Sequence, residues 1–321
     1  MENFNTIILI ISAIALFIYG LQSFSKEIEN FGTEKLQKWI QKITRIPLGG
    51  FLLGGGITAI IQSSTLVSSL TVSLIDTGII SFRESLLILL GTNVGTTSTA
   101  WIVTFQSQML GPIFIVLGTV ISMIPRKIAT AGKSIFYFGF IFFSLSMISN
   151  VMEPLKSDPL LIEILSKASN PILGILYGIV ITIIIQSSSV VVGLVIVLIS
   201  QGVISLEAAI PIVVGANIGT TSTALIVSLK MSPLSRLTAF ASSSFNVIGV
   251  VALLPFFPLL EKTVEKITST PEMQVALAFT IANTFTSVFF LIFLNPTIRL
   301  LQKHRWYKEY LEIKEHSEVI S

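Results

Sequence analysis

The chain has 321 residues, 52% hydrophobic and only 12% charged, with a formal net charge of +3. A soluble domain carries about a quarter charged residues, so this composition, with a mean hydropathy of +0.86, excludes an ordinary soluble enzyme and predicts an all-α integral membrane protein. Cysteine is absent and the two histidines, His304 and His316, lie near the end of the chain, which excludes disulfides, thiolate metal sites and a histidine-activated nucleophile inside the membrane.

Met1–Thr6 carries no Lys or Arg, so it lacks the basic start of a signal peptide. Thr6–Leu21, running on to about Phe24, is the first predicted span. The charged stretch 25–47 places Ile28, Phe31, Leu36, Trp39, Ile40 and Ile43 on one helical face and is expected to lie in the membrane interface.

Leu48–Ile61 and Thr65–Ile75 are apolar arms flanking Gln62-Ser63-Ser64-Thr65. At 1.5 Å per residue each arm reaches roughly 16–21 Å, short of a ~30 Å hydrocarbon core. The pattern predicts a re-entrant helical hairpin. Ser85–Phe105 is long enough to cross, but Gly91-Thr92-Asn93-Val94-Gly95-Thr96-Thr97 interrupts it. Two glycines among β-branched hydroxyl residues predict a helix broken at mid-membrane. Met109–Ile124 and Ser134–Ile148 are further spans.

The plan then recurs. Ile172–Ile185 and Val190–Ile199 flank Gln186-Ser187-Ser188-Ser189, and Ala208–Leu229 is interrupted at Gly215-Ala216-Asn217-Ile218-Gly219-Thr220-Thr221. Asn93 follows Gln62 by 31 residues, as Asn217 follows Gln186. Gly78-Ile79-Ile80-Ser81 and Gly202-Val203-Ile204-Ser205 stand in the same register, and every pair is offset by 124. This is an internal duplication. Arg236–Phe257 and Val275–Leu294 are the last spans.

The expected division is a first span over 1–24, a linker over 25–47, repeat cores over 48–133 and 172–260, a span and loop over 134–171, a last span over 261–297 and a tail over 298–321. With hairpins crossing zero times and broken helices once, there are about seven crossings. Sixteen of the 20 Lys and Arg then fall on one side, which marks it as cytoplasmic. The expectation is a multi-pass plasma-membrane protein with the N-terminus outside and the C-terminus inside. Each unit crosses three times, so the copies are inverted, with a substrate site at their interface.

Each Gln-Ser-Ser turn would stand where a half-helix begins. Free N–H groups and about half a positive charge gather there, and hydroxyls add donors. Ser63, Ser64, Thr65, Ser187, Ser188 and Ser189 are therefore candidates for a small oxyanion, with Asn93 and Asn217 donating or bridging. No Lys or Arg lies in these stretches, so a cation should accompany the anion. Gln62, Gln186, Thr96, Thr97, Thr220, Thr221 and carbonyls freed at the broken helices are hard oxygen ligands suited to Na⁺. Ser68, Ser69 and Thr71 read as helix-face filler, Asp76, Glu84 and Glu207 as interfacial carboxylates, and Asn246 and Asn283 as interhelical hydrogen-bonding amides.

The paired Gln-Ser-Ser-(Ser/Thr) turns and paired Gly-x-Asn-x-Gly-Thr-Thr segments, with Phe245-Asn246 beyond the second, resemble the type II sodium-dependent phosphate cotransporters and their bacterial relatives. The resemblance implies inorganic phosphate as substrate and Na⁺ as coupling ion, with no other cofactor. It places phosphate on Ser63, Ser64, Ser187, Ser188 and Ser189, and Na⁺ on Gln62, Gln186 and the Asn-Gly-Thr-Thr residues. Ser242 stands where the family often has His, and Phe279 lies four before Asn283. A C-terminal regulatory domain, frequent in bacterial relatives, is not expected after Ser321. Phosphate, Na⁺ and membrane lipid are the partners implied, without nucleic acid; a homodimer is compatible. The competing readings are a symporter for sulfate or a small carboxylate, a passive anion channel and a membrane sensor.

Overall fold

The computed structural model describes residues 2–30, 46, 48–105, 109–124, 127–153 and 158–320. Most of the interfacial helix expected over 25–47 lies outside them. The described residues form helices without a strand: α1 (Glu2–Asn30), α2 (Gly49–Ile61), α3 (Ser64–Asp76), α4 (Phe82–Thr104), α5 (Leu110–Ser122), α6 (Lys127–Met152), α7 (Pro159–Ser166), α8 (Pro171–Ile185), α9 (Ser188–Ser200), α10 (Leu206–Ser228), α11 (Pro233–Leu253), α12 (Phe257–Ile267), α13 (Pro271–Ile292), α14 (Leu294–Leu301) and α15 (Arg305–Ile320).

Helix starts follow local chemistry. Ser81 and Glu84 form a reciprocal capping box that opens α4, and Ser205 caps α10 at the 124-residue offset. Asn170-Pro171 and Ser232-Pro233 pair a side-chain cap with proline at the first helical position, where its missing N–H costs nothing. Gly78 and Gly202 both take φ 70° in the preceding turns, a backbone that glycine adopts without strain.

The duplication reappears in the packing. α2 runs beside α4 and α8 beside α10, both in one register. A β-carbon on Gly91 would overlap the carbonyl of Phe51, and one on Gly95 that of Gly55; Gly215 stands likewise against Ile175, and Gly219 against Ile179. The partner lies 40 residues earlier in all four cases. Small residues at such crossings let two backbones touch, which is how membrane helices gain contact without a hydrophobic driving force between them.

This packing corrects the expected broken helices. α4 and α10 are continuous through Gly91–Thr97 and Gly215–Thr221. The glycines serve close approach instead of unwinding. The hydroxyls fold back onto the helix: Thr92, Thr96, Thr97 and Ser98 donate to the carbonyls of Ile88, Thr92, Val94 and Gly95 at 2.8–2.9 Å. No run of carbonyls is released there for a cation.

Among the described residues, six helices are long and apolar enough to cross a membrane, within Ile8–Ile28, Phe82–Thr104, Ile128–Met152, Leu206–Ser228, Pro233–Ile267 and Pro271–Ile292. Over the remaining predicted span, Met109–Ile124, the helix α5 has 13 residues, roughly 20 Å. It packs on α6, with Gly118 against Phe136 and Gly111 against Phe143. The arms α2, α3 and α9 also have 13 residues each, as short as the arm lengths predict.

The two hairpins enter from opposite ends of α11. At its start the Ser232 N–H donates to Asp76, the last residue of the first hairpin, at 2.6 Å. Beyond its end, Phe257 and Pro258 share a cavity with Pro171, the first residue of the second. Outward faces carry exposed apolar side chains such as Leu52, Ile184 and Ile292, as a lipid-facing surface requires.

Candidate functional site

Both turns are built alike. Gln62 and Gln186 end α2 and α8 in the left-handed region, each with φ 60°. Their N–H groups donate to the Thr58 and Thr182 carbonyls at 2.8 and 2.6 Å. Glycine is the usual residue at such a C-terminus. A side chain there costs about 1–2 kcal/mol, and both copies carry the same amide. One residue on, Ser63 and Ser187 cap α3 and α9, their hydroxyl oxygens accepting from the N–H groups of Leu66 and Val190 at 3.3 and 3.4 Å.

The tips meet. Gln62, Ser63, Ser64, Thr65, Gln186, Ser187 and Ser189 line one cavity of about 790 Å³. Behind it lies an enclosed chamber of about 20 Å³, bounded by Ser64 and Ser188 together with Asn93, Asn217, Thr96, Thr220, Thr221, Ser242 and Asn246. About 10–15 Å³ of such space holds one water, so the chamber admits one water-sized guest and is too small for a four-oxygen anion until the tips part. No charged side chain borders it. Its positive character comes from the N-termini of α3 and α9, with hydroxyl and amide donors around them.

Buried amides tie the halves together. Asn93 donates to Asn246 and Asn217 to Asn283, each at 2.8 Å, and Asn246 donates to the Asn217 carbonyl at 3.4 Å. The 124-related asparagines of α4 and α10 thus engage two different late helices, α11 and α13. Thr221 joins Ser243 at 3.1 Å.

The turns differ in side-chain engagement. Gln62 is 5% exposed. Its amide donates to Ser98 at 2.9 Å and to the Ala59 carbonyl, and its carbonyl accepts from Thr99 at 2.7 Å. The Thr99 hydroxyl lies 3.4 Å from that of Ser189, which links the first turn to the second. Gln186 is exposed, and its side chain makes no hydrogen bond among the described residues. The Thr99 counterpart, Thr223, has a buried hydroxyl without a partner among the described residues, as do Thr58, its 124-related Thr182, and Ser188. A buried hydroxyl left unsatisfied costs about 1–3 kcal/mol. Of the four, Ser188 borders the chamber.

The predicted residues are therefore assembled at one place, except Thr97, which is buried and bonded to Val94. Ser68, Ser69, Ser242 and Asn246 also line the site. Sequence reasoning missed the roles of Thr58, Thr99, Thr182 and Thr223. Their signal was their place in the 124-residue register, with Thr99 and Thr223 each 37 residues after a turn glutamine. It also missed Lys26, which lines the larger cavity from α1. The charge-free surroundings expected from the motifs hold for the chamber and end at the cavity rim.

The profile of the Na⁺/Pi-cotransporter family matches residues 16–150 and 156–255. The uncharacterized protein YqeW of Bacillus subtilis is 29% identical over 290 residues, covering 90% of this chain and 94% of that protein. YjbB of Escherichia coli, provisionally named as an inorganic phosphate export protein, is 29% identical over 300 residues, covering 92% of this chain and 55% of that protein. Human sodium-dependent phosphate transport protein 2B is 36% identical over 138 residues, 39% of this chain and 20% of its own length. The chain thus spans nearly all of the Bacillus relative and about half of the Escherichia one. No solved structure matches it.

Proposed function

The chain belongs to the Na⁺/Pi-cotransporter family, and from that premise we propose that it carries inorganic phosphate across the plasma membrane by alternating access, with Na⁺ as the coupling ion. The observation that supports this reading is the meeting of Ser64 and Ser188, one from each duplicated turn, on a single chamber. Phosphate offers four oxygens to the N–H groups opening α3 and α9 and to Ser63, Ser64, Thr65, Ser187, Ser188 and Ser189. Dipoles and hydroxyls neutralise an anion incompletely in low dielectric, and Na⁺ supplies the rest. Gln62, Gln186, Thr96, Thr220 and Thr221 offer the oxygens that suit it. The unpartnered hydroxyls of Thr58, Thr182 and Thr223 extend that set.

The larger cavity is bordered by Lys26 and Met231, on the face that gathers most basic residues. Read by the positive-inside rule, this conformation loads phosphate from the cytoplasm. The N-terminus then lies outside and the C-terminus inside. Phosphate leaves or enters when the tips part and the Asn93–Asn246 and Asn217–Asn283 contacts rearrange.

Radiolabelled phosphate flux in proteoliposomes, with the Na⁺ gradient imposed or collapsed, tests the proposal. Accumulation against a phosphate gradient that follows the Na⁺ gradient is the expected result. Flux indifferent to Na⁺ would remove the coupling, and no phosphate flux would remove the substrate.

A further inference from the structure

A second large cavity lies away from the serine turns. It measures about 1000 Å³ and sits where the α3–α4 turn, the start of α11 and the helices α14 and α15 meet. Arg83, Arg299 and Lys314 border it, with the Tyr307 and Tyr310 phenols and the Gln302 amide between them. Arg83 and Arg299 come from different elements, and neither has a carboxylate within ion-pairing distance among the described residues. The one carboxylate in the lining, Asp76, is engaged otherwise: it accepts the Ser232 N–H at 2.6 Å and the Ser235 hydroxyl at 3.1 Å. The cavity therefore presents two guanidinium forks beside two phenols, of which Tyr307 accepts from the Gln302 amide at 3.2 Å. Guanidinium matches the geometry of phosphate oxygens bidentately.

The duplication supplies an internal contrast. The residue 124 positions after Arg83 is Glu207. The cavity beside it measures about 280 Å³ and carries Glu207 and Glu261. The same turn is basic at one end of the molecule and acidic at the other, so the cationic lining is not a by-product of the repeated fold. The walls of the larger cavity are also partly apolar, through Ile79, Ile298 and Ile313. A soluble anion would leave those side chains against water, whereas an amphiphile covers them.

We propose that this cavity holds the phosphate-bearing headgroup of an anionic lipid, its phosphate on Arg83 and Arg299 and the start of its acyl chains on the isoleucine wall. Basic pockets between helices at the cytoplasmic membrane surface have the electrostatics for this. A lipid seated there clamps α15 to the base of the first hairpin, because Arg83 follows that hairpin and Lys314 belongs to α15. The site stands apart from the phosphate pathway, so its test is independent of the transport reading.

Native mass spectrometry of the full chain, titrated with phosphatidylglycerol or phosphatidylcholine, reads the binding. Phosphatidylglycerol is expected to stay on the protein as a retained adduct where phosphatidylcholine does not. Retention should fall at least about tenfold in R83Q/R299Q, by loss of two charge-assisted contacts. E207Q/E261Q should retain phosphatidylglycerol as the wild type does. Equal retention of the two lipids, or undiminished retention in R83Q/R299Q, overturns the proposal. Displacement of phosphatidylglycerol by millimolar inorganic phosphate reassigns the pocket to a soluble anion and overturns it too. If R83Q/R299Q does not fold, R299Q alone, with the phosphatidylglycerol-dependent rise in wild-type melting temperature, decides; no rise and no loss of retention reject the site.

Discussion

Gln62 and Gln186 hold the same left-handed backbone, yet one amide is buried and bonded on both ends while the other is exposed and bonded on neither. For Gln62, three side-chain hydrogen bonds, at about 1 kcal/mol each, outweigh the 1–2 kcal/mol of backbone strain. For Gln186 no side-chain hydrogen bond among the described residues offsets that strain. In the same repeat Thr182 and Thr223 also keep buried hydroxyls without partners among the described residues. Nearly identical turns thus stand in different states although the same residue types follow both: the first is latched to Ser98 and Thr99, and the second leaves the equivalent Ser222 and Thr223 unengaged by its glutamine and is exposed. Two copies of one motif thus stand side by side in two side-chain states, one bonded and one exposed, on the same cavity. Exchange between those states is the kind of motion that the alternating-access proposal calls for.

The sharpest way to break the comparison is at the serines. Ser188→Ala should weaken phosphate binding about 10- to 100-fold, equivalent to about 1–3 kcal/mol, without lowering the melting temperature, because the lost hydroxyl has no partner among the described residues. Ser64→Ala should act in the same direction. Equilibrium binding of radiolabelled phosphate and thermal melting on the same samples check both halves of this statement. Intact affinity in both variants would remove the serines from the site.

The glutamines should then separate by sign. Gln62→Gly relieves strain but loses three hydrogen bonds, a net destabilisation of about 1–2 kcal/mol. Gln186→Gly relieves strain alone and should stabilise the protein by about 1 kcal/mol, while raising the Na⁺ concentration needed for half-maximal uptake. Melting curves without Na⁺, paired with Na⁺ titrations of uptake, measure the two effects. Equal destabilisation would show that the second amide is bonded after all.

A smaller contrast is expected at the threonines. Thr99→Val breaks the bond to Gln62 and should cost about 1 kcal/mol. Thr223→Val, which deletes an unpartnered hydroxyl, should stay within about 0.5 kcal/mol of the wild type without Na⁺ and lose part of the Na⁺-dependent rise in melting temperature. Smallest of all, Lys26→Gln should slow phosphate uptake about two- to threefold at low ionic strength. The difference should vanish in high salt, where a rim charge is screened within a few ångströms.

The repeat, the short hairpin arms and the meeting of the turns were legible in the sequence, because each rests on local spacing: Gln to Asn, arm length, the 124-residue offset. The misreading of Gly91–Thr97 and Gly215–Thr221 as unwound has a definite cause. A glycine signals either freedom or proximity, and only the three-dimensional placement of Phe51, Gly55, Ile175 and Ile179 shows that it is proximity here. The partners Asn246 and Asn283 were visible as buried amides, but nothing in their spacing pairs them with Asn93 and Asn217. Lys26 reaches the cavity from the first helix, a contact that no motif encodes. The difference between Gln62 and Gln186 is likewise invisible in the motif, since their immediate neighbours are nearly the same.

The meeting of the two turns can be measured directly, because the chain contains no cysteine. Thr65→Cys combined with Ser189→Cys, treated with a short bifunctional thiol reagent in membranes, should crosslink within one molecule, and phosphate together with Na⁺ should slow the reaction. Absence of any crosslink, or a rate indifferent to phosphate and Na⁺, would contradict a shared binding place for the two duplicated turns.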